Sequence, residues 1–105
     1  MQRIIPNIWF DRNAAEAADF YTSVFGGRVG TVALYPEQAG PVAGSVMFAD
    51  FEVLGQWFAA MDAAGQDFTF NCGVSLMVEC ADQAELDRYW EQLSAVPEAE
   101  QCGWC

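Results

Sequence analysis

The feature that most constrains the fold of this 105-residue chain is a strand-and-helix pattern that occurs twice. Residues 3–10 (RIIPNIWF) are apolar and β-branched, which predicts a strand, and they precede a helical pattern that Asn13 can cap. Residues 74–80 (VSLMVEC) precede a second helical pattern with a cap at Asp82, so the two copies lie 69 positions apart. The helices also share a glutamate three positions after the cap and an adjacent aromatic pair. Any two capped amphipathic helices look somewhat alike, but these coincidences favour an internal repeat.

Three further strands are predicted between the two copies. Residues 28–35, 45–53 and 56–61 are apolar, extended runs, and Leu54-Gly55 predicts a tight hairpin turn between the last two. After the second helix only residues 96–105 remain. We therefore expect the second copy to lack its hairpin strands.

The charge balance limits the partners of the chain. It has fifteen acidic residues against four arginines, no lysine and no histidine, and its formal net charge is −11. Nucleic acids and anionic membrane surfaces both require Lys/Arg contacts, so both are disfavoured as partners. No apolar run is long enough to span a membrane, and the N-terminus has no secretory signal pattern, so we expect a cytoplasmic protein.

Two segments carry a resemblance to a known family. IIPNIWFDRNAAEAADFY resembles the opening of PhnB-like (3-demethylubiquinone-9 3-methyltransferase) domains, and VSLMVECADQAELDRYWEQLS followed by EQCGW resembles their second half. These domains are a branch of the glyoxalase/bleomycin resistance/dihydroxybiphenyl dioxygenase superfamily, the vicinal-oxygen-chelate proteins. The resemblance implies an α+β fold of βαβββ modules in one domain over residues 1–105. Residues 1–62 would form the first module, 63–73 a connector, and 74–105 a truncated second module.

The resemblance also implies a curved sheet whose concave face, the cup, holds a small molecule. Period-two alternation is expected to direct one set of residues toward the helices: Ile8, Phe10, Val78 and Cys80. It directs the intervening residues toward the cup, and we predict these as the ligand-binding residues: Asn7, Trp9, Ser75, Met77 and Glu79. An aromatic floor with a few polar groups is typical of a small-molecule site. The alternative is that these side chains only fill a core or a dimer interface.

A metal centre is not predicted. Metal-dependent relatives place His, Glu or Gln on the first strand of each module and on the last, and the metal acts as a Lewis acid. The corresponding first-strand positions here are Ile5 and Ser75. The isoleucine side chain has no donor atom for a metal ion, and a serine hydroxyl is a poor ligand for transition metals. Asp62 could stand near a third ligand position, and the fourth would lie beyond the sequence. We expect neither a metal nor a cofactor.

The cysteines do not predict a redox or zinc site. Cys102 and Cys105 form a C-x-x-C pair, but no helix follows to lower the pKa of the first thiol. Cys72 and Cys80 have the wrong spacing for zinc and are expected to be buried and reduced. The carboxylates within residues 82–91 are expected to be a helix cap and a solvated helix face.

The sequence is compatible with three functions. The leading hypothesis is a PhnB-like, metal-free protein that binds a small molecule, with no catalysis assigned. The second is an enzyme, either a metal-dependent lyase or dioxygenase or a methyltransferase as the family label says, although no strand–GxGxxG–helix pattern is present. The third is an interaction module whose cup is filled by its own side chains. A half-built second module would leave strand edges and apolar surface uncovered, which predicts a homodimer.

Overall fold

The computed structural model describes residues 3–63, 73–94 and 96–100, and the chain divides into two compact units, Met1–Phe68 and Thr69–Cys105. The first unit contains, in chain order, β1 (Asn7–Phe10), α1 (Ala14–Phe25), β2 (Arg28–Leu34), a 3-10 turn (Glu37–Val42), β3 (Val46–Val53) and β4 (Gln56–Asp62). In the second unit the described elements are α2 (Gln83–Leu93) and a 3-10 turn (Pro97–Ala99). The predicted α+β class and the βαβββ order of the first module are confirmed.

The four strands of the first unit form one sheet in the order β1-β4-β3-β2. β1 pairs with β4 in parallel, and the other two pairings are antiparallel. The predicted hairpin turn is confirmed, because Leu54 and Gly55 both have positive φ, 50° and 79°. A two-residue turn of this kind matches the twist of its strands and fixes their register. Glu52 is therefore paired with Trp57.

Helix α1 covers one face of the sheet, and the core lies between them. The buried residues of this core are Phe10, Ala14, Ala18, Val46, Ala49, Phe51, Val53 and Ala60. The alanines of α1 let the helix backbone approach the sheet, while Tyr21, Phe51 and Phe58 stack with ring centroids 6.3 and 5.4 Å apart. The alternation of apolar residues along β3 and β4 thus directs one set of side chains under the helix.

Two glycines end α1 for different reasons. Gly26 adopts the left-handed conformation with φ of 74°, and its N–H donates to the Thr22 carbonyl. The Gly27 N–H donates to the same carbonyl at 3.0 Å. A Cβ on Gly27 would collide with the backbone carbonyl of Glu52, so only glycine fits where the helix turns into the sheet. The predicted helix stop is confirmed.

The start of α1 differs from the prediction. Asn13 precedes the helix but makes no side-chain cap hydrogen bond. Instead, the backbone N–H of Ala14 donates to the Asp62 carboxylate, with a distance of 2.9 Å to Oδ1. A carboxylate from the end of β4 therefore satisfies a free N–H at the helix start, where negative charge is favoured. The prediction of Asn13 as the capping side chain was wrong.

The start of α2 follows the prediction. The Asp82 carboxylate accepts a hydrogen bond from the Glu85 N–H at 2.9 Å, and the Glu85 carboxylate accepts one from the Ala81 N–H at 3.2 Å. Other carboxylates of this segment, including Asp87, lie on the exposed helix face, as expected. The first residues of α1 and α2 keep the predicted offset of 69. The internal repeat itself stays a prediction.

The predicted strand over residues 74–80 was wrong. These residues have no regular secondary structure, and Val74 and Met77 are 83% and 80% exposed. Val78, expected to face a helix, is 38% exposed, and Cys80 is a partly exposed free thiol. A strand requires a hydrogen-bonded neighbour, as β4 provides for β1. Within residues 73–94 and 96–100 the second unit contains no strand that could do so.

The predictions about membrane spans and about the cysteines can be checked only within the described part of the chain. No helix in the described ranges is long and apolar enough to cross a membrane. Cys72, Cys102 and Cys105 lie outside the described residues. The cytoplasmic location stays a prediction.

Candidate functional site

The sheet face opposite α1 is the candidate site, and we call it the distal face. Phe58 and Ala60 of β4 belong to the core under α1, so the alternate residues of this strand point to the other side. Strand pairing extends the same face across β1, β3 and β2. The residues of the distal face are Asn7, Trp9, Arg28, Phe48, Asp50, Glu52, Trp57, Ala59 and Met61.

One end of the distal face is apolar. Trp9 is paired with Met61, and Phe48 lies on β3. Trp9 and Phe48 are 38% and 37% exposed, which is high for large aromatic side chains on a sheet surface. Beside them the Asn7 amide donates to the Met61 sulfur, with Nδ2 and Sδ 3.4 Å apart. Thioether sulfur is a weak acceptor, so this amide can exchange it for a ligand oxygen at little cost.

The other end of the distal face is charged. Arg28, Glu52 and Trp57 lie side by side on β2, β3 and β4. The Arg28 Nε lies 3.3 Å from the Glu52 carboxylate. The guanidinium carbons of Arg28 and Arg3 lie 5.3 and 5.6 Å from the centroid of the Trp57 ring, within the range of cation–π contact.

A local irregularity of β2 lies between these two ends. The register of β2 against β3 shifts between Val29 and Val32. The Asp50 carboxylate accepts a hydrogen bond there from the Thr31 N–H, with an N–O distance of 2.6 Å. A Cβ on Gly30 would collide with this carboxylate and would lie 3.1 Å from the Trp57 ring. Glycine at this position therefore lets both side chains lie directly against the strand.

The predicted site residues fall into both units. The structure places Asn7 and Trp9 on the distal face, with Ile8 and Phe10 on the helix side. Ser75, Met77 and Glu79 belong to the second unit and are exposed in its irregular segment. The candidate site therefore consists of residues of the first unit alone, and a ligand-binding role for all five predicted residues stays a prediction.

Sequence reasoning missed the charged end of the distal face. The signal was available, because a two-residue turn at Leu54-Gly55 pairs Glu52 with Trp57, and alternation then puts Trp57 and Met61 on one face. The alternation was applied only to the first strand of each copy, residues 3–10 and 74–80, and this left the row out. The predicted strand over residues 3–10 is shorter in the structure, where β1 begins at Asn7 and Arg3 precedes it. The contact of Arg3 with Trp57 depends on β1 lying beside β4, which the sequence did not indicate.

The described residues do not fit the metal site of the superfamily. Asp62 is the last residue of β4 and is 3% exposed. Its two carboxylate oxygens accept hydrogen bonds from the backbone N–H groups of Ala14 and Val46 at 2.9 and 2.8 Å. The expectation that Asp62 could stand near a third ligand position is therefore corrected, because this carboxylate is already engaged. No group of three or more His, Cys, Asp or Glu within the described ranges could hold a metal ion.

Comparison with known proteins identifies the family. A family model described as 3-demethylubiquinone-9 3-methyltransferase matches residues 2–105. The chain belongs to this PhnB-like family. The structure of a PhnB protein from Bacillus cereus is similar, with 33% sequence identity and a TM-score of 0.79. The match covers 89% of this chain and 74% of the Bacillus cereus chain. The protein PA1353 from Pseudomonas aeruginosa shares the fold, with a TM-score of 0.70 and 23% sequence identity. This match covers 90% of this chain and 73% of PA1353. No functionally curated protein matches the PhnB-like chain.

Proposed function

We propose that this PhnB-like chain binds a small, largely apolar molecule on the distal face and does so without a metal centre. The observation that carries the proposal is the exposure of Trp9 and Phe48, 38% and 37%, on the sheet face opposite the core. Exposed aromatic side chains next to polar groups are typical of ligand sites. The Asn7 amide supplies a polar group of this kind beside the apolar end.

The donor set supports the metal-free part of the proposal. Ile5 has no donor atom, and the Asp62 carboxylate is held by two backbone N–H groups. Breaking these bonds to bind a metal would leave buried N–H groups without partners, which costs free energy. The chain also has no histidine to replace the missing ligands.

The proposal can be tested by calorimetric titration with 2-naphthol, a neutral aromatic probe. We expect binding to the wild-type chain and an affinity about tenfold lower for Trp9→Ala, since losing about 50 Å² of buried apolar contact costs about 1.3 kcal/mol. Phe20→Ala is the matched control, because Phe20 is 41% exposed but lies on α1. This control should bind 2-naphthol as the wild type does.

Two results would contradict the proposal. Equal loss of affinity in Trp9→Ala and Phe20→Ala would show that binding is not confined to the distal face. Elemental analysis of the purified chain is the second measurement, and a divalent metal ion at one per chain would exclude the metal-free part.

A further inference from the structure

Half of the scarce positive side-chain charge lies at one end of the distal face. The four arginines carry all of its positive side-chain charge against fifteen acidic residues. Two of them, Arg3 and Arg28, lie over the same Trp57 ring. Two like charges beside one ring repel each other, and an anion that lies near both offsets the repulsion. An anionic ligand group that lies near both guanidinium groups would relieve this repulsion.

Glu52 offsets this repulsion only in part. Its carboxylate lies 3.3 Å from the Arg28 Nε, and the Arg28 side chain is still 69% exposed. A guanidinium has five N–H donors, and its strongest pairing with a carboxylate is bidentate. Asp50, the other acid on this face, is held by the Thr31 N–H. Arg3 forms no ion pair with any carboxylate in the described part of the chain.

We propose that Arg3, Arg28 and Trp57 form a carboxylate-binding end of the distal face, so that the ligand is an aromatic or apolar acid. This inference rests on the proposed function and names the class of its ligand. Trp57 and Met61 are four residues apart on β4, which corresponds to about 13 Å along a strand. The long, flexible arginine side chains shorten the gap that a ligand has to span, so an aromatic acid such as 2-naphthoate can lie on the face toward Trp9 while its carboxylate contacts a guanidinium group.

The test compares 2-naphthoate with 2-naphthol, which carry the same ring system with and without the charge. Calorimetric titration of the wild-type chain should show about tenfold tighter binding of 2-naphthoate, the gain expected from charge-assisted hydrogen bonds. In Arg28→Gln the advantage of 2-naphthoate over 2-naphthol should disappear. In Glu52→Gln this advantage should increase, because a competing carboxylate is removed.

Arg88→Gln is the matched control. Arg88 also lies over an aromatic ring, 5.2 Å from the centroid of Tyr89, and near a carboxylate, Glu85, but it belongs to α2 in the second unit. This variant should keep the preference for 2-naphthoate. Equal affinities of the wild type for the two probes would overturn the inference and leave the proposed function standing. Absence of binding for both probes would overturn the inference and the proposed function together.

Discussion

Among single residues, Asp62 forms hydrogen bonds with three separate segments of the first unit, whereas a helix cap bonds only with its own helix. Its carboxylate accepts hydrogen bonds from the N–H groups of Ala14 and Val46, and its backbone carbonyl accepts one from the Tyr35 hydroxyl at 3.4 Å. These contacts bring together the start of α1, the start of β3 and the residue that follows β2. In this chain an acidic residue at the end of β4 has a structural role.

We expect Asp62→Asn to lower the free energy of unfolding by about 3 kcal/mol, since an amide replaces one acceptor oxygen by a donor and leaves a buried N–H without a partner. Urea denaturation followed by circular dichroism measures this change. Asp11→Asn is the control at an exposed position and should stay within about 0.5 kcal/mol of the wild type. A loss below about 1 kcal/mol in Asp62→Asn would contradict the role assigned to this carboxylate.

Local sequence patterns predict which way neighbouring side chains point, but not which residues distant in sequence come into contact. The alternation along β1 correctly separates Trp9 from Phe10, because successive side chains of any strand point to opposite faces. The role of Asp62 could not be predicted in this way, because Ala14 is 48 residues away in sequence. The same holds for Arg3 and Trp57, whose contact depends on β1 lying next to β4.

For the individual elements, the two helices provide a natural comparison. The sequence presents Asn13 and Asp82 as equivalent caps, yet only Asp82 makes a side-chain cap hydrogen bond. The backbone of Asn13, at φ −127° and ψ 26°, lies outside the extended conformation that Asp82 adopts at φ −156° and ψ 177°. An N-cap side chain reaches the first turn from an extended backbone, which explains the difference.

We therefore expect Asp82→Ala and Asn13→Ala to differ in their effects. Asp82→Ala should destabilise α2 by about 1 kcal/mol and speed amide hydrogen exchange in its first turn about fivefold. Asn13→Ala should leave exchange in the first turn of α1 unchanged, because Asp62 supplies the acceptor there. Equal effects of the two substitutions on their helices would show that Asn13 does cap α1.

Elements with strong local signals were predicted correctly, whereas the predicted strand over residues 74–80, which requires a neighbouring strand, was wrong. The hairpin of β3 and β4 has its turn residues and its alternation in sequence, so its register follows from Leu54-Gly55. Residues 74–80 alternate in the same way but lack a paired strand in the second unit's described residues. The pattern therefore indicates strand propensity, which becomes a strand only when a partner supplies the hydrogen bonds.

On the scale of the whole molecule, each unit leaves apolar surface exposed. In the first unit this surface includes Trp9 and Phe48, and in the second it includes Val74 and Met77. Exposed apolar patches of this kind mark sites of ligand or protein association. In our proposal ligand binding accounts for the first of them, and we expect a protein partner to cover the exposed segment of the second unit.

We expect the chain to form a homodimer that covers this segment. Sedimentation equilibrium at micromolar concentration should give twice the mass of the 11.6-kDa chain. Met77→Glu should shift the equilibrium toward the monomer, because a charge in a buried interface costs free energy. Glu79→Gln, which alters a charge two residues away, serves as the control and should stay dimeric. A stable monomer of the wild type at this concentration would contradict the prediction.

The contact between Ala14 and Asp62 has a further consequence for the growing polypeptide. The first turn of α1 emerges from the ribosome 48 residues before the carboxylate that completes it. At the usual rates of translation this interval lasts about 2 to 10 s, far longer than a helix needs to form or melt. Until β4 has been synthesised, the Ala14 N–H therefore lacks the Asp62 carboxylate that accepts its hydrogen bond. Helix α1 docks on the sheet only after the hairpin has been synthesised.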